Sequence, residues 1–64
     1  MMRYRRTYNV YIMKDGEVTV QDETFVARNP IHAVTLAFSL WRRVNIADGE
    51  SVQVTPGTEV WLDA

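Results

Sequence analysis

One stretch, Asn29 to Val44, limits what this chain can become. It is the only segment with a sustained helical rhythm in a chain of 64 residues. Asn29 can cap a helix with its side-chain oxygen, and Pro30 suits the first helical position, where its missing N–H is no loss. Ile31, Ala33, Val34, Ala37, Phe38, Leu40, Trp41 and Val44 then return at helical spacing. At about 100° per residue they fill roughly half the wheel, centred between Ala37, Trp41 and Val34. His32, Thr35, Ser39, Arg42 and Arg43 take the other side, and Leu36 stands out of place near the polar flank. So broad an apolar face needs a sheet to rest on, and the rest of the chain must supply the strands.

Thr7 to Met13 alternate, with Tyr8, Val10 and Ile12 on one face and Asn9, Tyr11 and Met13 on the other. Lys14-Asp15-Gly16 closes a hairpin. A two-residue loop at Asp15-Gly16 and a three-residue loop are both common. The three-residue loop pairs Ile12 with Val18 and Val10 with Val20, which gathers β-branched residues on one face, and it is the predicted closure. The second strand, about Glu17 to Ala27, changes parity, since Val18 and Val20 are even and Phe25 and Ala27 odd. That predicts a bulge near Asp22–Thr24, or else Phe25 outward with Val26 inward.

After the helix, Asn45–Gly49 is a loop. Glu50–Thr55 reads as a third strand, with Val52 and Val54 inward. Pro56-Gly57 reads as a type II turn, and Thr58–Leu62 as a fourth strand. The expected class is α+β with element order β-β-α-β-β. It is a four-stranded antiparallel sheet, order 2-1-3-4, with one helix on one face. A single domain spans 1–64, with 1–6 a loosely ordered basic N-terminus.

Composition narrows the function classes. There is no cysteine, so no disulfide or thiolate metal site forms, which agrees with a cytoplasmic setting. No apolar run approaches the roughly 20 residues that span a bilayer. A net charge of −1 is unlike domains built to hold phosphate backbone. The one histidine, His32, has neither a cysteine nor an obvious carboxylate at i+4, and reads as a surface residue. Asp22 and Glu23 are neighbours in a strand and point to opposite faces, so they cannot work as a catalytic pair. No glycine-rich loop precedes the helix. The sequence therefore predicts a protein that is not an enzyme and has no cofactor or metal.

What remains is surface. One helix covers one face, leaving Asn9, Tyr11, Met13, Thr19, Gln21, Ser51, Gln53, Glu59 and Trp61 on the other. Tyr11, Met13 and Trp61, with the acidic Asp22 and Glu23, are the candidate partner-binding residues. A small nucleic-acid binder is the alternative, using Arg3, Arg5, Arg6, Arg42 and Arg43 with Tyr4, Tyr8 and Tyr11 as stacking groups. A self-associating structural domain, joined by its edge strand or open face, is the third reading.

The segment Gln21 to Pro56 resembles the small inhibitors of bacterial RNA polymerase made by T7-like phages. The shared pattern is Thr24-Phe25-Val26-Ala27-Arg28-Asn29-Pro30, then His32-Ala33-Val34-Thr35-Leu36-Ala37, then Trp41, then Glu50-Ser51-Val52-Gln53-Val54. The arginines that family uses near its last strand correspond to Gln53 and Thr55 here, so no functional residue carries over. The resemblance implies a type of protein: a phage or mobile-element inhibitor or accessory factor that blocks a host enzyme or defence complex. Inhibitors of CRISPR effectors are of the same type. Its partner would be a host protein or nucleoprotein complex in the host cytosol, with no membrane involved and a homodimer as a further option.

Overall fold

The structure, a computed structural model, describes residues 1–63, the side chain of Thr19 excepted. The chain forms β1 (Met2–Lys14), β2 (Glu17–Ala27), α1 (Pro30–Trp41) and β3 (Glu50–Asp63). The class is α+β: an antiparallel sheet in the order β2-β1-β3 with one helix on one face. Both strand segments expected after the helix are extended, and both are bonded to β1. Pro56-Gly57, expected as a turn, is instead an irregularity within one strand. The segment after it runs on along β1 and does not fold back beside the segment before it.

β1 is the axis of the molecule. β3 pairs with all of it, from Met2 opposite Asp63 to Lys14 opposite Glu50, while β2 pairs only from Arg6 opposite Ala27 to Lys14 opposite Glu17. Met2 to Arg6, expected as a loose basic terminus, are therefore strand. Met2-Arg3-Tyr4-Arg5 alternates apolar and basic, which is the period a strand requires. The molecule is drawn out to 43 × 20 × 15 Å.

The hairpin closes through two residues rather than three. Asp15 and Gly16 both have positive φ, 51° and 82°, the signature of a turn whose twist matches its strands. Lys14 then faces Glu17 and Met13 faces Val18. A bulge follows, earlier than Asp22–Thr24: Thr19, Val20 and Gln21 together oppose Ile12, before Tyr11 meets Asp22. The two-residue turn sets Val18 opposite Met13, off the core face, and Val18 and Val20 are both exposed; the bulge then brings Phe25 opposite the buried Tyr8.

The core is Tyr8, Val10 and Ile12 of β1, Ala27 of β2, and Ala33 and Ala37 of α1. Fully burying Val10 and Ile12 contributes roughly 1.5–3 kcal/mol each. The small side chains at 33 and 37 let the helix backbone settle close to the sheet. Leu36 does pack against this core, with Phe25, Val34, Phe38, Trp41, Val52 and Val54. Ile31, Leu40 and Val44, expected on the buried face, are exposed.

Asn29 caps α1 as expected, its Oδ1 accepting from the His32 N–H at 2.8 Å. The helix stops at Trp41, three residues short of Val44. Arg42 turns left-handed (φ 56°), and the Arg42 and Arg43 N–H groups donate back to the Ser39 and Phe38 carbonyls at 3.3 and 3.0 Å. This is a helix stop normally built on glycine.

Candidate protein-binding surfaces

A helix of 12 residues reaches about 18 Å, less than half the long axis of the molecule. It is placed over the hairpin half of the sheet. Beyond Arg6, β1 and β3 continue as a two-stranded arm, Met2–Arg5 against Val60–Asp63, with no β2 residue paired to it. Two strands by themselves have little stability in water.

The bulge in β3 decides what this arm displays. Arg6 pairs with Glu59 and Tyr8 with Pro56, so Gly57 and Thr58 together oppose Thr7. The Thr58 N–H donates to Thr7 Oγ1 at 2.8 Å, and Arg6 Nη1 donates to the Gly57 carbonyl at 2.9 Å. One extra residue reverses which face each later side chain takes. Before it, Val52 and Val54 share the helix side with Ile12 and Val10. After it, Glu59 and Trp61 share that side with Arg6 and Tyr4.

Trp61 therefore does not lie on the open face with Tyr11 and Met13, as the sequence suggested. It stands on the helix side of the arm, in an edge-to-face pair with Tyr4 at 5.1 Å and 68°. Trp61 is 56% exposed and Tyr4 38%. The Tyr4 hydroxyl accepts from Arg6 Nε at 3.1 Å, and Arg6 reaches Glu59 at 3.3 Å. The bond to Tyr4 is the foremost cause holding the Arg6 guanidinium above its ordinary pKa, with Glu59 adding to it. On the reverse side of the arm, Arg3 lies opposite Leu62 and Arg5 opposite Val60. Arg5 Nη1 donates to the Tyr4 carbonyl at 2.7 Å.

The other candidate residues lie roughly 23 Å away, seven strand residues along β1. Tyr11 faces Asp22 and Gln53, Met13 faces Val18 and Ser51, and both are half-buried. Asp22 accepts from Asn9 Nδ2 at 2.7 Å. Glu23, opposite Val10, takes the other face. The five candidates thus divide into an acidic-aromatic patch on the open face, Glu23 behind it, and Trp61 at the far end. Thr19, also expected on the open face, lies outside the described side chains. Met2 and Leu62 were missed, and Tyr4 was named only as a stacking group for nucleic acid. The signal for Met2 and Tyr4 was the period-two alternation of residues 2–5.

The five arginines are likewise divided. Arg3, Arg5 and Arg6 belong to the arm. Arg42 and Arg43 follow the helix, at the hairpin end. There Arg43 is bound to Glu50 at 3.2 Å, and Glu50 faces Lys14 across the sheet. Glu50 also accepts the Ala47 N–H at 2.9 Å. That bond first, then Arg43 and the Lys14 charge, lowers its pKa. Tyr8 is buried, and Tyr11 faces away from Tyr4, so the three tyrosines make no common stacking platform.

His32 Nδ1 accepts from the Arg28 N–H at 3.0 Å. Among the described residues no group of three His, Cys, Asp or Glu side chains is placed to hold a metal. No described helix is long and apolar enough to cross a membrane. In comparisons with known proteins, no family model, no curated protein and no solved structure matches this chain.

Proposed function

We propose that this protein is a non-catalytic binding module of phage or mobile-element origin. It works in the host cytosol as an inhibitor or accessory factor, attaching to a host enzyme or defence complex. The observation that carries this reading is the arm, a two-stranded ribbon with an exposed Tyr4–Trp61 pair and, among the described residues, no third strand paired to it. Tyr, Trp and Arg are the side chains that most often anchor protein interfaces, and all three meet here. The strand-helix-strand pattern shared with phage polymerase inhibitors supports the class of target.

Capture from bacterial lysate tests the reading. Trp61→Ala and Tyr4→Ala should lose the captured protein, while Asp22→Lys with Glu23→Lys should keep it. Capture that survives both arm substitutions would refute the arm as the binding surface.

A nucleic-acid binder is the second reading, favoured by Arg3 and Arg5 lying on the same arm as the Tyr4–Trp61 pair, on its reverse side. It requires oligonucleotide retention that falls steeply with salt and disappears in Arg3→Ala with Arg5→Ala.

A further inference from the structure

Around its two rings, the helix side of the arm offers donors and few free acceptors. Arg6 is the reason. Its Nε donates to the Tyr4 hydroxyl, its Nη1 to the Gly57 carbonyl and its Nη2 to Glu59, so one guanidinium takes up three acceptors beside the rings. The Tyr4 O–H and the Trp61 indole N–H are left, and an indole N–H can only donate. Neither has an acceptor among the described residues. The rings meet at 68°, so they form a corner with two aromatic walls rather than a flat plate for a stacked base. Charge narrows the partner further. Glu59 and Asp63 set two carboxylates on this face against the one guanidinium of Arg6, which disfavours an acidic segment. An apolar path continues from the rings on the same face. Pro56, opposite Tyr8, is exposed, and beyond it Val54 lies in a groove with Pro30, Ile31, Val34 and Thr35 of α1. Ile31 is 80% exposed there, and the Thr35 hydroxyl already donates to the Ile31 carbonyl at 3.0 Å.

We propose, resting on the arm as the binding surface, that the partner presents a proline-rich segment in the polyproline II conformation. Proline brings carbonyls that accept from Tyr4 and Trp61, and apolar rings that pack into the aromatic corner. It has no backbone N–H to leave unpaired. A segment of other residues would bring N–H groups to a face whose nearby acceptors Arg6 already holds, and a desolvated donor without a partner weakens binding. The spacing agrees. Tyr4 and Val10, which face Trp61 and Val54, are six residues apart on β1, about 20 Å. Polyproline II rises about 3.1 Å per residue with three residues per turn, so its residues six apart share a face and lie about 19 Å apart. A proline at the Tyr4–Trp61 corner therefore sets another of the same row at the Ile31–Val54 groove.

Titration of the protein with a capped polyproline nonamer, followed by the indole N–H signals in an NMR spectrum, tests this. The Trp61 signal should move, while that of Trp41, packed between Phe25 and Phe38, should not. Tyr4→Phe keeps the ring and removes the hydroxyl, so the fold should persist by circular dichroism while the nonamer binds roughly threefold to tenfold more weakly. Ile31→Glu, at an exposed position, should weaken it at least about threefold. Arg3→Ala with Arg5→Ala should leave it unchanged. A Trp61 signal that stays still up to roughly millimolar nonamer overturns the proposal. So does an oligoglutamate or oligothymidylate of equal length that moves the signal as far. If lysate capture then still depends on Trp61, the arm stands as the binding surface and only the proline-rich partner is lost. If capture ignores Trp61 as well, both fall.

Discussion

The Thr7 hydroxyl occupies the place a side chain on residue 57 would need: a Cβ added to Gly57 would collide with Thr7 Oγ1. That oxygen is fixed by the Thr58 N–H it accepts. The bulge that turns Trp61 to the helix side thus depends on Gly57 having no side chain and on Thr7 having this one. Gly57→Ala should cost about 1–3 kcal/mol, the usual range for overpacking. In a Thr7→Ala background the obstructing oxygen is gone, and the same substitution should cost less by at least about 0.5 kcal/mol. Urea denaturation of the four proteins in this cycle measures it. Simple additivity would mean that the two residues do not control each other.

Arg42 holds a left-handed conformation (φ 56°) that glycine takes without strain. Replacing it with glycine should raise stability by about 1 kcal/mol, since a Cβ in this region costs roughly 1–2 kcal/mol. For a chain this short that is a rise of roughly 4–8 °C in Tm. Calorimetry showing no rise would mean that the Arg42 side chain contributes as much as its backbone strain removes.

Asn29 and Pro30 announced the start of α1, and the alternation of Tyr8, Val10 and Ile12 announced the buried face of β1, because both signals depend on neighbouring residues alone. The end of the helix was less legible. Arg42 does a glycine's task, so the residue that marks the stop is absent from the sequence. Pro56-Gly57 misled for a different reason. The same dipeptide serves a turn and a bulge, and the choice is made by Thr7, near the other end of the chain. Val18 and Val20 misled the hairpin register. Their β-branched pairing counted for less than the twist of the Asp15-Gly16 turn, whose two-residue closure sets Val18 opposite Met13, and both valines are exposed. The position of Trp61 inherited the error at Gly57, since one extra residue reverses every face beyond it.

The His32 N–H donates to Asn29 Oδ1 at 2.8 Å, the bond that caps α1. Asn29→Ala should lower stability by about 1 kcal/mol, and Asn29→Ser or Asn29→Asp should restore most of it, because each supplies an oxygen at the same place. Thermal unfolding followed at the helical circular dichroism band checks this. Equal loss in all three variants would show that the amide, rather than a capping oxygen, is what the site needs.

Glu50 ties the loop after α1 to the first residue of β3, accepting from Ala47 N–H and from Arg43. These bonds favour its charged form and hold its pKa below the ordinary glutamate value of 4.5. The stabilisation they give is therefore complete above that value. As pH falls below 4.5 it drains away, and it is gone once the pH passes the lower value of the folded state. Glu50→Gln keeps the shape and removes the titration. At pH 7 the variant should be less stable than the unaltered chain, and the gap should narrow steadily as pH falls below 4.5. Denaturation midpoints of both proteins between pH 7 and pH 2 read it directly. A gap of constant size would mean that Glu50 acts by packing and hydrogen bonding alone, and that its charge does not hold the loop.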